Sequence, residues 1–499
     1  MIVWAGVALV DGAAIADFAV CVRDGLIVAA GPRHQIEAQY PNDERSGGSE
    51  LLMLPGLVNA HDHGRALGTQ SLGISDTFLE LWLRRLESEP LLSPELAAAW
   101  EGLQLIRSGV TATAHSHNPQ TWQSQFDELP HTLRGYRAAG VRVALHPVII
   151  DQNPLVYADA EAFLRSLPSS LVAAAQQALR APLLHADDYF NGLDALYAEH
   201  HDAVAHRVHV QASPAGGQWC SDDLILRAVD WARARRTRVQ MHMLETRYQR
   251  AYAFTIWGVG FVRHLDEIGA LGDWLTLAHM VWVEPDDPTL LSERRVGVAH
   301  NPSSNLRLRS GTAPLAHLLQ VGLRTGIGMD GQTLDDDQDY LRELRLAWTL
   351  ANQPAMASAD VSASAIWQCG TRGGASVTFG DSVPLGQLQP GYLADLVLLD
   401  AAALRGAWSP SGHPTPELWP DFALRRASRQ HVRHVMVHGE WLLRDGLHTR
   451  LDEAELAAAI RAELAAHLSR PVQDDPLAAH LRRFYAVWDE GGRRDLVSK

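Results

Sequence analysis

Eight short apolar runs, LLMLPGLVNA, GVTATAH, VRVALHPVII, HRVHVQASP, TRVQMHML, WLTLAHMV, RVGVAHN and GLRTGIGMD, recur between residues 51 and 330, separated by stretches of helical composition. Separators such as SPELAAAWEGLQLIRS, SDDLILRAVDWARARR and DYLRELRLAWTLAN open on Ser or Asp, residues that cap helix N-termini. Strand-then-helix alternation predicts β/α units on a parallel sheet. Eight such units point to an α/β chain with a (β/α)8 TIM barrel carrying insertions. A flavodoxin-like open sheet is the competing architecture and normally needs fewer strands.

Both ends of the chain have a different texture. Residues 1–55 alternate apolar and polar side chains with Gly and Asp at the turns, and residues 385–447 return to that pattern in LGQLQPGYLADLVLLD and RHVMVHGEWLLRDG. We expect the two stretches to form one composite β-sandwich domain built from both chain ends. The barrel domain then spans 56–384, and 448–499 is a C-terminal helical extension of two amphipathic helices packed on the outside.

Composition removes several functions. With 58 acidic against 43 basic side chains the formal net charge is −15, so the average field repels phosphate backbones and anionic headgroups. Neither nucleic acid nor a membrane is an expected partner. Cys21, Cys220 and Cys369 lie far apart and form no C-x-x-C pair, which fits a reducing compartment. The apolar N-terminus lacks a basic leader and reads as strands, and no run of eighteen apolar residues is present, so a cytoplasmic location is expected. Among the basic residues the only lysine is Lys499. Schiff-base chemistry, a P-loop lysine and a carbamylated-lysine metal bridge all need an interior lysine and are excluded.

Several of the 24 histidines fall at the C-terminal ends of predicted barrel strands, the face on which barrel active sites assemble. His61 and His63, in NAHDHG, stand two residues apart, so in extended backbone both point to one side and can hold one ion. His242 closes TRVQMH, His279 closes WLTLAH and Asp330 closes GLRTGIGMD. Imidazoles and a carboxylate suit Zn²⁺ or a neighbouring first-row metal with room for water. Glu245, three residues after His242, is placed as an acid/base group. A second pair, His115 and His117 in ATAHSHNP, and strand-ending His146, His209 and His300 read as hydrogen-bonded residues lining the mouth, with substrate contact as the alternative for His115 and, above all, His300.

LPGLVNAHDH, HMLET, LAHMVWV, AHNPSSNLRLRSG, GMDG and LQPGYLADLVLLD, in this order and spacing, resemble the amidohydrolase superfamily. Within it they are similar to the cytosine deaminase-like branch that includes the triazine hydrolases and adenosine-homocysteine-type deaminases. The resemblance runs from about residue 1 to 445. It implies one divalent metal per subunit, Zn²⁺ first and Fe²⁺ second, held by His61, His63, His242 and Asp330, with Glu245, His279 and Asp330 as catalytic groups. The lysine-free interior independently excludes the branch that bridges two metals. Gln240 departs from the family by standing where many members have a further histidine, and Met329 where a small hydroxyl residue is usual.

The implied reaction is hydrolytic deamination of an aminated N-heterocycle, of purine, pterin, pyrimidine or triazine type. Asp330 takes the proton of the attacking water, His279 steadies the developing oxyanion and protonated Glu245 donates to a ring nitrogen. Gln70, Trp82, Trp219, Asn305 and Arg307 are candidates to stack on or hydrogen-bond a flat small-molecule substrate. Arg65, Arg307 and Arg309 are the first cations to test against an anionic group on it. Asp335, in the LDDDQD run, reads as a solvated helix start with pocket contact as the alternative. The same metal site also suits cleavage of an amide, a ring C–N or a C–Cl bond, and a non-catalytic scaffold is the reading from another class. Resemblance alone implies a homodimer or higher homo-oligomer.

Overall fold

The computed structural model describes residues 1–331, 333–352, 354, 356, 360–406, 415–465 and 475–496, with side chains as far as 488; Lys499 lies outside the described residues. Four N-terminal strands, β1 (Ile2–Val10), β2 (Ala13–Arg23), β3 (Leu26–Pro32) and β4 (Arg45–Pro55), precede the barrel. The barrel strands are β5 (Leu57–Asn59), β6 (Val110–His117), β7 (Arg142–Ile149), β8 (Val208–Val210) with its short continuation β9 (Ser213–Pro214), β10 (Val239–Met243), β11 (Leu275–His279), β12 (Gly297–His300) and β13 (Arg324–Ile327). Then come β14 (Leu396–Asp400), β15 (Val432–Val437), β16 (Glu440–Arg444) and β17 (Leu447–His448).

Each of the eight apolar runs thus forms a barrel strand. β5 to β8 pair in parallel, as do β10 to β13. One seam closes through parallel bridges Ala212 to Val239 and Gly216 to His242. At the other, Ala60 N donates to Ile327 O at 2.9 Å, and the buried Tyr340 hydroxyl reaches the carbonyls of both Val58 (2.6 Å) and Ile327 (2.8 Å). Small residues line the interior. Ala60, Ala278 and Ala299 leave room for Val377, from the short Gly374–Phe379 helix. The open-sheet alternative fails because this curled sheet meets itself.

Strands from both ends of the chain share one sheet, in the order β17-β16-β15-β14-β4-β1-β2-β3. Its joint is β14 against β4, antiparallel, with Leu398 opposite Met53. A salt bridge ties this sheet to the barrel: Arg142, at the start of β7, donates to both Asp395 oxygens at 2.8 and 2.9 Å, with both side chains fully buried. The Glu453–Ala465 and Ala478–Leu496 helices follow. Among the described residues no helix is long and apolar enough to cross a membrane.

Candidate active site

Parallel strands deliver the ends of β5, β10, β11, β12 and β13 to one rim of the barrel, and with them His61, His63, His242, Glu245, His279, His300 and Asp330. His61 Nε2 and His63 Nε2 each lie 3.1 Å from Asp330 Oδ1, and His63 Nε2 is 3.2 Å from His242 Nε2. His279 Nε2 stands 3.7 Å from Glu245 Oε2 and 3.9 Å from Asp330 Oδ2. Taking one atom per residue, His61, His242, His279 and Asp330 also fall within 4.8 Å of one another. Two chain positions bend unusually to achieve this: His279 (φ 78°) and Asp330 (φ 57°) lie in the left-handed region, which costs a non-glycine residue about 1–3 kcal/mol.

Hydrogen bonds on the far side of each ring fix which nitrogen faces inward. His61 Nδ1 donates to Gln240 Oε1 (2.7 Å), His63 Nδ1 to Ser116 O (3.0 Å), His242 Nδ1 to Ala215 O (2.6 Å) and His279 Nδ1 to Asn305 Oδ1 (2.9 Å). With each Nδ1 proton committed to an oxygen, all four Nε2 atoms present a lone pair to the centre. His61 Nε2, His279 Nε2 and Asp330 Oδ1 are buried and have no hydrogen-bond partner. Acceptors crowded together without donors are what a cation satisfies. For metal–nitrogen bonds near 2.0–2.1 Å, neighbouring tetrahedral ligands stand about 3.4 Å apart. The 3.1–3.2 Å separations of His61 and His63 from Asp330 and of His63 from His242 are close to that spacing, and with His279 in the same cluster the group suits a divalent metal.

Burial sets the charges. It would raise the Asp330 carboxyl, but the His61 and His63 rings against it hold it well below the usual carboxylate range. Glu245 is driven the other way, well above its ordinary value, by burial and then by the negative charges of Asp330 and Glu80. Two carboxyl groups in one site are therefore pushed in opposite directions, the arrangement acid–base chemistry uses. His279 is pushed down to about 4 and His300 to about 3 by burial, so both rings are neutral.

The remaining sequence candidates take varied positions. Asn305 is buried against His279. His300 is buried with both ring nitrogens unpaired. Trp82 is buried in a cluster with Ile74, Leu79 and Leu308, against which the half-buried Trp219 packs. His115 and His117 join a buried chain, Tyr136 hydroxyl to His115 Nδ1 (2.8 Å), His115 Nε2 to His117 Nδ1 (3.2 Å) and His117 Nε2 to Glu128 (3.1 Å). They line a cavity of about 140 Å³ with His63, Arg65, Leu67 and Leu92. Gln70 is exposed on a short 3-10 turn. Among the arginines, Arg307 is committed to Asp76 and Asp336, Arg65 donates to Glu89 at 3.0 Å, and Arg309 lies over the Phe78 ring. Asp335 faces solvent and pairs with Arg342. His146 and His209 are buried, the first against Gln211 and the second against His206.

Three residues escaped the sequence reading. Ser304 donates to Asp330 Oδ2 at 2.5 Å, and its place in the polar run HNPSSN was the available signal. Glu80 is buried within an apolar helix and accepts from Thr246 Oγ1 at 2.6 Å. Gln218 is fully buried with neither end of its amide paired, in the loop whose Gly216 bridges to His242. No periodicity marks the last two.

A closed parallel barrel with imidazoles and a carboxylate converging on its rim defines a metal-dependent hydrolase. Residues 52–442 match the amidohydrolase family, and the chain belongs to that family. It is 28% identical over 429 residues to a 5'-deoxyadenosine deaminase of Methanothermobacter thermautotrophicus, covering 84% of this chain and 88% of that one. To a 5-methylthioadenosine/S-adenosylhomocysteine deaminase of Nitratidesulfovibrio vulgaris it is 29% identical, covering 90% and 92%. Among solved structures, a zinc-bound adenosine deaminase from Xanthomonas campestris superposes with a TM-score of 0.76 at 24% identity over 94% of this chain and 98% of that one. Zinc-bound atrazine chlorohydrolase from Arthrobacter aurescens gives 0.74 at 19% identity over 93% and 99%.

Proposed function

We propose that the chain hydrolytically deaminates an aminated N-heterocycle, with adenine nucleosides of the 5'-deoxyadenosine and 5-methylthioadenosine kind as the first substrates to test. The observation that carries this reading is geometric: Asp330 Oδ2 and Glu245 Oε2 both face His279 Nε2, at 3.9 and 3.7 Å, with Asp330 pushed toward its ionised form by the rings around it and Glu245 toward its protonated form by burial. The substrate kind is suggested by the relatives' names, which describe adenosine-type deaminases.

His61, His63, His242 and Asp330 are the residues we assign to the metal, with zinc ahead of ferrous iron, and such an ion supplies acidified water as the nucleophile. Asp330 Oδ2, held by the Ser304 hydroxyl, receives a proton as water attacks the amino-bearing carbon. His279, its Nδ1 proton anchored on Asn305, keeps Nε2 directed at the same place and orients the incoming oxygen. Glu245 donates its proton to the adjacent ring nitrogen, so negative charge does not build up in the ring. Asp330 then passes its proton to the amino group, the C–N bond breaks to release ammonia, and the adduct's hydroxyl gives its proton back to Glu245. Gln70, Trp82, His115, Trp219, His300 and Asn305 are retained as candidate substrate contacts, while Arg307 is held by Asp76 and Asp336; Gln218 joins them because its unpaired amide suits the donor–acceptor edge of a heterocycle. A cytoplasmic homo-oligomer belongs to the same reading, with light scattering as its check.

The deciding experiment measures ammonia and, in parallel, chloride release by metal-loaded protein across adenosine, 5'-deoxyadenosine, 5-methylthioadenosine, guanine and chlorotriazines. Ammonia from a purine supports the reading. Chloride alone, or no release from any of them, overturns it.

A further inference from the structure

The family match ends at residue 442, yet the Ala478–Leu496 helix beyond it is built into the rim that carries the site. Leu477 and Leu481 are buried in a cluster with Leu81, Leu155, Val156 and Phe163. Leu81 belongs to the Leu79–Leu86 helix in the loop after β5; Leu155 and Val156 follow β7. Tyr485, 3% exposed, accepts a hydrogen bond from the Tyr157 backbone N–H at 3.1 Å. Its ring packs on Tyr157 (5.4 Å) and on Tyr248 (5.0 Å), which stands three residues after Glu245. Phe78 is flanked by two guanidinium groups, Arg482 from this helix at 5.5 Å and Arg309 from the loop after β12 at 5.2 Å. Arg84 adds an ion pair to Asp475, just ahead of the helix, at 3.0 Å.

These contacts lead inward. Tyr157 meets Trp219 edge-on at 5.8 Å, and Trp219 packs against the Trp82 cluster. The Leu79–Leu86 helix is in turn tied to the catalytic strand end, since Glu80 accepts from Thr246, the neighbour of Glu245. One terminal helix therefore fixes the loops after β5, β7 and β10 relative to one another. Its described side chains reach these loops, while His61, His242, His279 and Asp330 are positioned by the barrel strands and their own hydrogen bonds. Around it remains a cavity of about 260 Å³ lined by Phe78, Glu80, Leu81, Tyr248, Arg482 and Tyr485.

We propose that the C-terminal helix is a fixed wall of the active-site entrance and that Tyr485 is a positioning residue, holding Tyr157 and the Leu79–Leu86 helix where the aromatic side chains behind them can enclose the substrate. This rests on the proposed deaminase reading for its kinetic consequence and on geometry alone for its structural one. Both are tested in the full-length, metal-loaded protein with Tyr485→Ala and Tyr485→Phe, and with a chain ending at residue 476.

Loss of the wall removes binding shared by ground and transition states, so Tyr485→Ala should raise KM for the best purine substrate about tenfold or more while kcat stays within about twofold. Metal content should be unchanged. Amide hydrogen exchange in residues 79–86 and 155–157 should quicken about tenfold or more in Tyr485→Ala, and at Tyr157 alone in Tyr485→Phe, which keeps the ring and loses the acceptor. The shortened chain should reproduce the alanine variant. Unchanged KM, or kcat and metal content falling together, overturns the positioning role. Unchanged exchange overturns the wall itself, and because exchange needs no substrate, it does so even if the protein deaminates nothing.

Discussion

Gln240 accepts the Nδ1 proton of His61 at 2.7 Å and passes its own amide N–H to Ala60 O at 3.0 Å, locking one metal-site imidazole between two barrel strands. This carboxamide orients the ring with no titratable group of its own. Gln240→Leu should leave the fold intact and weaken metal affinity about ten- to a hundredfold, the usual cost of losing such an outer partner. Competition against a chromogenic chelator reads this directly. Affinity within a factor of two of the parent would show that His61 needs no orienting bond.

Glu245→Gln keeps the shape of the side chain and removes its proton on offer. kcat should fall at least about a hundredfold with metal content unchanged, and Asp330→Asn should lose a similar factor together with metal. Full turnover by Glu245→Gln would take the general acid away from this residue.

Gln218→Met removes a fully buried amide with neither end paired. Relief of that desolvation should hold or raise stability by about 1–2 kcal/mol, while KM for a purine substrate should rise. A loss of stability in denaturant melts with unaltered KM would assign the amide to the scaffold.

The barrel and the histidine-bearing strand ends were legible in the sequence because both follow from local signals. Apolar runs of strand length alternate with capped helices, and a ligand at a strand's last residue can only face the rim. What stayed hidden depends on distant pairing. Gln240 and Ser304 orient His61 and Asp330 across the barrel, contacts that only closure creates. Arg307 stands in a polar motif that suggested substrate, yet Asp76 and Asp336, from two other loops, claim its guanidinium. The terminal helix showed its apolar stripe but not which face of the barrel the stripe would meet.

Arg142 and Asp395 form the buried link between barrel and chain-end sheet, and Asp395 also accepts the His438 backbone N–H at 2.8 Å. Asp395→Asn leaves a guanidinium buried without its counter-charge, which should cost about 3–5 kcal/mol in denaturant melts. The site lies on the opposite rim, so KM of the folded fraction should not move. A cost below about 1 kcal/mol would mean that water reaches the pair.

Acid should destabilise the protein through its interior histidines. His146 is fully buried, bonds Gln211 Oε1 at 2.9 Å through Nε2, and is pushed down to about 3 by burial; His209 is likewise pushed down to about 3. Unfolded, such a ring titrates near 6.5. Above that pH neither state carries the proton and the full stability is present. Between about 6.5 and 3 the unfolded chain binds a proton that the folded one refuses, so stability drops as pH falls, by about 1.4 kcal/mol per unit per ring and thus about 2 kcal/mol each at pH 5. Below about 3 the loss levels off. Denaturant melts between pH 7.5 and 5 should therefore show a shallower slope for His146→Asn than for the parent, by about one proton. Parallel slopes would mean that His146 takes up its proton in the folded barrel.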